Sequence, residues 1–432
     1  MALEQDYVTW FRNSSPYINA HRGKTFVVMI PGEAIANPNF THTVHDLALL
    51  NSLGIRLVLV HGARQQISAQ LAQVGIESEF NGATRITDAA TMEIVARTVG
   101  QMRLHIEGAF SAGLANSPMH NARIQATSGN FVMARPIGVH DGKDYQYTGT
   151  VRRVAVEAIE PLLSLNHIVL LSSVAASITG ELFNINAEEV AAAAATALKA
   201  DKIIYLTAAP ILNEQQGLVR ELTSSEASAW PLADAAAREQ LMAASRATEQ
   251  GVDRAHLVDY HIPGGLLQEL FTHDGCGTLV SQENYETLRQ ATIDDVGGIL
   301  ALIRPLEEAG VLVRRSRERL EQEIAQFTIL ERDGMVLGCA ALYPLSNNQA
   351  GEVACVAVHP SYRNGKRGHT LLAYVEKKAR ALGMQALYTL TTQTAHWFMQ
   401  QGFEPVPVTA LPGDRQALYN FQRNSKVFRK IL

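Results

Sequence analysis

Apolar residues recur along the first two thirds of this chain in short runs separated by helical patterns. The runs are rich in β-branched residues and have the length of buried strands, and they lie at 25–30, 56–61, 168–171, 203–207 and 255–259. Alanine-rich or amphipathic segments, such as 188–199, separate them and predict helices. This alternation predicts an α/β fold from residue 24 to about 281, a mostly parallel sheet covered by helices on both faces.

The carboxy-terminal third contains a second α/β pattern. Residues 327–330, 336–342 and 353–358 predict consecutive strands, and an amphipathic helix with apolar residues between 371 and 382 ends at Gly383. A chain of 432 residues is long enough for two or more domains with separate cores. We therefore expect an amino-terminal helix at 1–20, a first domain at 21–281, a linker at 282–290 and a second domain at 291–432.

An apolar stripe marks the expected amino-terminal helix. Leu3, Tyr7, Trp10 and Phe11 recur there at helical spacing. Such a stripe needs a partner surface. At this stage its own domain and a second subunit fit that requirement equally well.

Charge and composition exclude several classes of protein. A formal net charge of −5 gives no reason to expect nucleic acid or an anionic membrane as a partner. No apolar run approaches the roughly 20 residues that span a bilayer, and the amino terminus lacks a secretion pattern. Cys276, Cys339 and Cys355 are an odd number of cysteines in apolar settings, so a disulfide framework is not expected. These features indicate a cytoplasmic protein.

A basic, glycine-bearing loop joins the predicted strand that Pro360 ends to the following helix. The loop contains Arg363, Asn364, Gly365, Lys366, Arg367, Gly368 and His369. Backbone N–H groups at a helix start, with cations beside them, suit an anion such as a pyrophosphate.

This loop resembles the acyl-CoA pyrophosphate loop of the GNAT family of N-acetyltransferases. The family pattern is Arg or Gln, two residues, Gly, one residue, then Gly or Ala. Arg363 and Gly368 fill the outer positions, and Lys366 stands where the first glycine usually lies. The resemblance implies that acetyl-CoA is the co-substrate. Beside the loop, it places the strand backbone of Val356, Ala357 and Val358 against the cofactor.

The first α/β domain resembles the amino acid kinase family. Five segments carry the resemblance, at 58–62, 81–87, 183–187, 267–271 and 275–278. These kinases place a lysine before a glycine turn on the first strand, where it neutralises the moving phosphoryl group. Here Met29 and Glu33 occupy that region, Ala63 and Arg64 interrupt the next glycine turn, and Glu188 replaces an aspartate. We therefore expect the kinase fold without the kinase reaction.

A kinase-like domain of this kind followed by a GNAT-type domain resembles the bacterial N-acetylglutamate synthase family over nearly the whole chain. In the second half the resemblance lies at 312–318, 339–342, 352–360, 391–398 and 402–403. It implies that acetyl-CoA and L-glutamate react to N-acetyl-L-glutamate and CoA, without a metal, in the first step of arginine biosynthesis.

The implied reaction needs a base and two stabilising groups. Glu352 is the candidate base that takes a proton from the ammonium of glutamate, directly or through water. A backbone N–H near Cys355 or Val356 can stabilise the oxyanion formed from the thioester. Thr391 matches the family's hydroxyl donor to the departing sulfur, and the adjacent Thr392 stays an alternative.

The two carboxylates of glutamate require paired, planar donors. Arg315 and Arg423 match the glutamate-binding arginines of the family, Ser425 matches a hydroxyl beside them, and Cys355 is expected to form a wall of the pocket. Arg314 should point away from its neighbour Arg315.

The kinase resemblance also implies an allosteric site for L-arginine, the end product of the pathway. His256, Glu269 and Gly275 match that site. Glu269 can accept a guanidinium in a forked pair, and Gly275 lets backbone groups approach closely. The family arrangement further implies a hexamer in which the amino-terminal helix joins subunits.

Two other functions stay open on the sequence. One is an acetyltransferase for another amine, such as a protein lysine, under amino-acid control. The other is an arginine-binding regulator whose catalytic half has decayed. The predicted arginine pair favours a small dicarboxylate over a lysine side chain, and the retained Glu352 and CoA loop favour an active enzyme.

Overall fold

The computed structural model describes residues 2–82, 84–113, 117–140, 142–272, 275–282, 286–332, 334–345, 349–362, 366–420 and 424–432, without the side chains of 2–7, 9–10, 13, 361 and 414. It divides into two compact units, Met1–Asn284 and Tyr285–Leu432.

The first unit is built from helices and strands that alternate along the chain. Its helices are α1 (Ala2–His21), α2 (Gly32–Ala36), α3 (Phe40–Ser52), α4 (Arg64–Gln73), α5 (Ala89–Ser111), α6 (Val156–Ser164), α7 (Ala187–Ala197), α8 (Ser224–Ala229), α9 (Ala235–Glu249) and α10 (Gly265–Phe271). Its strands are β1 (Thr25–Ile30), β2 (Arg56–His61), β3 (Glu79–Asn81), β4 (Thr84–Ile86), β5 (Ala126–Ser128), β6 (Val132–Pro136), β7 (Val139–His140), β8 (Lys143–Asp144), β9 (Gly149–Val154), β10 (Ile168–Ser172), β11 (Val174–Ala176), β12 (Leu182–Asn184), β13 (Lys202–Thr207), β14 (Glu221–Thr223), β15 (Arg254–Asp259) and β16 (Thr278–Ser281).

The main sheet of this unit has the strand order β14-β16-β15-β13-β1-β2-β10-β5. All neighbouring strands are parallel except β15 and β16. Every residue of β1 is buried, and its side chains alternate between two separate cores, with Val27 in one and Val28 in the other. Burial on both faces explains why β1 is a continuous apolar run. A second sheet has the order β12-β11-β6-β9.

The second unit is a mixed seven-stranded sheet with helices against it. Its helices are α11 (Val296–Glu308), α12 (Arg317–Glu323), α13 (Arg367–Ala381), α14 (Ala395–Gln400) and α15 (Gly413–Ala417). Its strands are β17 (Thr287–Gln290), β18 (Phe327–Arg332), β19 (Met335–Leu345), β20 (Ala350–Val358), β21 (Ala386–Thr391), β22 (Glu404–Val406) and β23 (Lys426–Ile431), in the order β17-β18-β19-β20-β21-β23-β22. Only the neighbours β20 and β21 are parallel among the described strands of this sheet.

The expected linker differs from the structure. Residues 287–290 form β17, which pairs antiparallel with β18, and Leu288 packs partly buried against the second unit's core. Four residues are too few to show the alternating pattern of a strand in the sequence. The strand forms because it pairs with β18. The four-stranded second sheet was likewise absent from the sequence-based prediction, because its strands are short and of mixed composition.

Candidate active site

A gap opens in the second sheet where β20 and β21 separate. The two strands share three residue pairs, and the last joins Glu352 to Tyr388. β20 then continues to Val358 and β21 to Thr391. Because the facing backbone groups of the two strands no longer pair beyond Glu352, N–H and C=O groups in the gap can bind a substrate.

A β-bulge shapes the β20 side of the gap. The register between β19 and β20 shifts between Cys339 and Ala341, and Cys355 has a φ of 55°. That conformation is uncommon outside glycine. The thiol of Cys339 donates to the carbonyl oxygen of Cys355 at 3.5 Å. The bulge therefore redirects the backbone at the position where the sequence predicts the oxyanion donor.

A cavity of about 1510 Å³ lies at this gap. Its lining includes these sequence-predicted residues: Arg315, Glu352, Cys355, Val356, Ala357, Val358, Lys366, Gly368, His369, Thr391 and Ser425. Thr392 is exposed and is not part of the lining, so Thr391 supplies the hydroxyl at this place. Arg314 also lines the cavity, but it is exposed whereas Arg315 is half-buried.

Glu352 is buried and paired with a cation that the sequence did not indicate. The side chain is 11% exposed, and Arg415 of α15 donates to both carboxylate oxygens, from Nε to Oε2 and from Nη2 to Oε1 at 3.0 Å. Hydrogen bonding to Glu352 raises the pKa of Arg415. The forked pair therefore holds the candidate base in one orientation within the cavity.

Thr391 is held by the turn that follows β21. Its Oγ1 accepts the backbone N–H groups of Gln393 at 3.3 Å and Thr394 at 3.0 Å, and lies 2.7 Å from Thr394 Oγ1. Two backbone donors occupy the oxygen's acceptor positions, which leaves the hydroxyl proton for donation. That proton can go to Thr394 or to a group in the cavity.

Arg315 presents an unsatisfied donor among the expected substrate-binding residues. Its Nη1 donates to the Val313 carbonyl oxygen at 3.2 Å, whereas the buried Nε has no hydrogen-bond partner in the described part of the chain. Ser425 is buried and directly precedes β23, and its carbonyl oxygen accepts a hydrogen bond from the Tyr419 hydroxyl at 2.7 Å. A buried, unpaired guanidinium N–H in a cavity suits a carboxylate ligand.

The amino terminus of α13 lines the same cavity. Lys366 is exposed, with a left-handed φ of 59°, and directly precedes the helix. A Cβ at Gly368 would lie 3.2 Å from Trp397 Cζ2, so glycine lets the helix start approach that ring. His369 Nδ1 lies 2.6 Å from Gln401 Oε1. Backbone N–H groups at this helix end therefore meet the cavity, as a pyrophosphate requires.

Arg367 occupies a different environment from its neighbours in the loop. Its Nε lies 2.8 Å and its Nη2 2.5 Å from Glu286 Oε1, and its Nη1 donates to the Tyr362 carbonyl oxygen at 3.2 Å. The side chain is not part of the cavity lining. The ion pair thus joins the first residue of α13 to Glu286, which directly precedes β17. Four of the predicted residues lie outside the described residues, namely Arg363, Asn364, Gly365 and Arg423.

His256, Glu269 and Gly275 meet in the first unit. His256 Nδ1 lies 2.7 Å from Glu269 Oε1, and Glu269 Oε2 accepts the N–H groups of Cys276 and Gly277, each at 2.8 Å. Gly275 has a φ of 59°, and a Cβ there would overlap Glu269 Oε2. The turn therefore requires glycine, and the three residues predicted as one site lie together, with Gly275 packed against the hydrogen-bonded pair His256 and Glu269.

The charges of this cluster are well defined. Burial alone would raise the pKa of Glu269, but His256 and the two backbone amides outweigh burial and lower that pKa to about 2. Burial and the nearby Lys202 lower the pKa of His256. Lys202 Nζ lies 3.5 Å from His256 Nε2. Glu269 is therefore ionised and His256 neutral at pH 7, donating its Nδ1 proton to Glu269.

Sequence reasoning missed Arg415 and Lys202. Arg415 lies in a short helix within an irregular segment, where no apolar period marks it. Lys202 begins β13, and its parallel pairing with β15 brings it beside His256. A cation at the start of a buried strand was the available signal for Lys202.

Among the described residues, no group of three or more His, Cys, Asp and Glu side chains is placed to hold a metal ion. No described helix has the length and apolar composition needed to cross a membrane.

Comparisons with known proteins assign both units. Residues 24–259 match the amino acid kinase family, and residues 299–403 match the acetyltransferase (GNAT) family. Amino-acid acetyltransferases from Azotobacter vinelandii and Ectopseudomonas mendocina are 56% and 55% identical to this chain, over 99% of it and 100% of each relative.

Two crystal structures of N-acetylglutamate synthase from Neisseria gonorrhoeae are 36% identical to it, each over 99% of both chains. The complex with coenzyme A and L-arginine has a TM-score of 0.89, and the complex with coenzyme A and N-acetyl-glutamate has a TM-score of 0.64. On this identity over nearly its full length, the chain belongs to the amino-acid acetyltransferase family, acyltransferase enzymes that here join an amino acid kinase domain to a GNAT domain.

Proposed function

We propose that this enzyme transfers the acetyl group of acetyl-CoA to the α-amine of L-glutamate. The observation that carries the proposal is the single cavity where Glu352, Thr391, Arg315 and the start of α13 converge. A carboxylate, a hydroxyl, an unpaired guanidinium N–H and a helix amino terminus surround one gap. The related synthase crystallised with coenzyme A and N-acetyl-glutamate supports this substrate pair.

Proton removal is assigned to Glu352. The ammonium of glutamate must lose a proton before its nitrogen can attack the thioester, and a carboxylate accepts it directly or through water. Arg415 holds both oxygens of this carboxylate, which fixes its direction but also occupies lone pairs. Each carboxylate oxygen has a second lone pair, so Glu352 can accept from substrate while Arg415 stays bound.

The groups that stabilise the oxyanion and the leaving sulfur are assigned to opposite sides of the gap. A backbone N–H at Cys355 or Val356, where the bulge redirects β20, stabilises the negative oxygen of the tetrahedral intermediate. Thr391 at the end of β21 turns its hydroxyl proton from Thr394 Oγ1 toward the CoA sulfur, while the backbone N–H groups of Gln393 and Thr394 hold its oxygen in place.

Recognition of glutamate is assigned to Arg315, Arg423 and Ser425. Arg315 supports this assignment through its unpaired Nε, and Ser425 through its position in the lining. Cys355 is the wall beside them. A lysine side chain on a protein would bring no carboxylate for Arg315, so a free dicarboxylic amino acid fits the cavity better.

L-arginine is proposed as an effector that binds at the His256–Glu269–Gly275 cluster. Glu269 is ionised and buried, which suits a guanidinium, but its two oxygens are already occupied by His256 and two amides. An arginine side chain must therefore exchange with His256 or share Glu269 Oε1 with it. The synthase complex that contains L-arginine supports regulation of this kind.

A hexamer in the cytoplasm is proposed for the assembled enzyme. α1 exposes Val8 and Phe11, which are 43% and 53% accessible, and this apolar surface supports a subunit contact. Cys276, Cys339 and Cys355 are free thiols, which suits a reducing compartment. Light scattering on the purified chain tests the hexamer, and a monomer at micromolar concentration would contradict it.

The function is tested by offering acetyl-CoA with L-glutamate, with L-ornithine and with a lysine-containing peptide, while free CoA is measured. Glutamate should react fastest. Glu352→Gln should lower turnover at pH 7 by about 10²- to 10⁴-fold and regain part of it at higher pH, where the amine deprotonates unaided. Glu404→Gln, which changes an exposed glutamate of the same unit, is the matched control.

Faster acetylation of ornithine or of the peptide would overturn glutamate as the substrate. Unchanged turnover of Glu352→Gln at pH 7 would remove Glu352 from the mechanism.

A further inference from the structure

A second cavity, of about 470 Å³, lies within the first unit. Its lining includes Gly32 after β1, Gly62 after β2 and Ala208 after β13. It therefore lies at the carboxyl ends of the parallel strands, where α/β proteins usually bind ligands. The acetyl-transfer chemistry derived above uses none of its residues.

The cations of this cavity are already bound within the protein. Arg64 Nη2 donates to Glu239 Oε2 at 2.9 Å, and Asn186 donates to the other oxygen of Glu239. Arg85 donates to the hydroxyls of Ser68, at 2.8 Å, and of Ser78. Glu239 neutralises Arg64, whereas the neutral serine hydroxyls leave Arg85 charged. Three acidic residues in the lining, Glu33, Glu188 and Asp234, outnumber this one cation without a counter-charge in the described lining.

Glu188 leaves an unmatched acidic group in the same cavity. It lies in the first turn of α7, and the residue is 8% exposed. Within the described residues, no other residue donates a hydrogen bond to its carboxyl group, and the charges nearest to it are Glu239, Arg64 and Glu33. Burial, reinforced by Glu239, raises the pKa of Glu188 to about 7. A buried carboxylate without a partner is costly, so a cation in the cavity would stabilise it.

Two further features define the ligand. Ser173 is 5% exposed, its buried Oγ has no hydrogen-bond partner in the described part of the chain, and it lines the cavity. Glu33, also in the lining, is half-buried and carries a second negative charge. The lining also contains apolar side chains, among them Met29 and Ile211, beside polar ones such as Asp234 and Gln240. The unmatched groups therefore call for a positive hydrogen-bond donor on an apolar body.

We propose that this cavity is a binding site for a small aliphatic ammonium ion, whose charged group meets Glu188 and Ser173 and whose alkyl chain contacts the apolar lining. An alkylammonium supplies three N–H donors. Glu188 and Ser173 each accept one of them. A diamine carries a second ammonium group for Glu33.

Calorimetric titration of the full chain tests the site, with n-butylamine and 1,4-diaminobutane as probes at pH 8, where Glu188 is ionised. Saturable binding of one probe per chain is expected. Glu188→Gln keeps the shape but removes the charge, and should weaken binding at least about tenfold. The matched control is Glu157→Gln, an exposed helix glutamate of the same unit with 67% side-chain exposure, which should bind as the wild type does.

Repeating the titration at pH 7 in buffers of different ionisation enthalpy measures how many protons the protein releases when the amine binds. Because the pKa of Glu188 is about 7, binding of a cation should release up to about half a proton.

Glu269→Gln should leave amine binding unchanged, since its cluster is separate from this lining. Ser173→Ala provides a second test of the cavity that keeps Glu188, and it should weaken binding several-fold.

Three results would each overturn the proposal. They are absence of saturable binding by both amines, equal affinity of the wild type and Glu188→Gln, and stronger binding of inorganic phosphate than of either amine.

Discussion

Replacement of Arg415 by glutamine should separate the positioning of Glu352 from the recognition of glutamate. Arg415 donates to both oxygens of Glu352, and the two side chains are 21% and 11% exposed. A hydrogen bond to a charged group contributes about 1.5 to 3 kcal/mol. Partial exposure favours the lower value for each bond, so the two bonds together stabilise the carboxylate in this position by about 3 kcal/mol.

If half of that loss reaches the transition state, turnover at pH 7 falls about tenfold, because 1.4 kcal/mol corresponds to a factor of ten. Arg415 holds the carboxylate of Glu352 in one orientation, and we expect that orientation to be the one in which the base meets the substrate ammonium. The KM for glutamate should change much less than kcat.

The assay is the initial rate of CoA release between pH 5.5 and 9.5, at saturating acetyl-CoA and varied glutamate. Arg415→Lys keeps the charge but not the fork, so it should lose part of kcat. Arg380→Gln, with 52% side-chain exposure on α13, is the control. A normal kcat at every pH would refute the positioning role, and a large rise in KM alone would assign Arg415 to substrate binding.

Three more changes test other parts of the molecule. Arg315→Lys should raise the KM for glutamate about 10- to 100-fold and the KM for acetyl-CoA much less, because lysine cannot replace a planar donor. Equal rises in the two KM values would argue against a contact between Arg315 and glutamate. Glu269→Ala should keep uninhibited turnover and shift the arginine response to much higher concentration, and unchanged arginine sensitivity would move the effector site elsewhere. Because the pKa of Glu188 rises from 4.5 to about 7 on folding, the folded protein loses roughly 3 kcal/mol between those pH values. Glu188→Gln should therefore melt above the wild type at pH 8, with a smaller difference at pH 5 by calorimetry, and a difference independent of pH would contradict this linkage.

The positions of the main strands along the chain were predictable from short-range patterns, whereas their order in the sheets was not predicted. β1 and β2 begin and end where their apolar runs do, because burial on both faces leaves no polar position inside them. The segment at 282–290 was assigned incorrectly to a linker, since β17 exists only through its pairing with β18.

The sequence by itself identified candidate side chains for the chemistry. Glu352, Thr391 and Arg315 were predicted from motif positions, and all three line one cavity. His256, Glu269 and Gly275 were predicted together, and the structure has His256 hydrogen-bonded to Glu269 with Gly275 packed against Glu269.

Only the tertiary structure decided what those side chains contact. Arg415 reaches Glu352 across 63 positions of the chain, and Arg367 reaches Glu286 across 81. The bulge at Cys355 likewise depends on how β19 and β20 align. Periodicity records which face of an element is buried. It does not record which distant charge meets that element, because this depends on the path of the whole chain and on side-chain conformation within the packed fold.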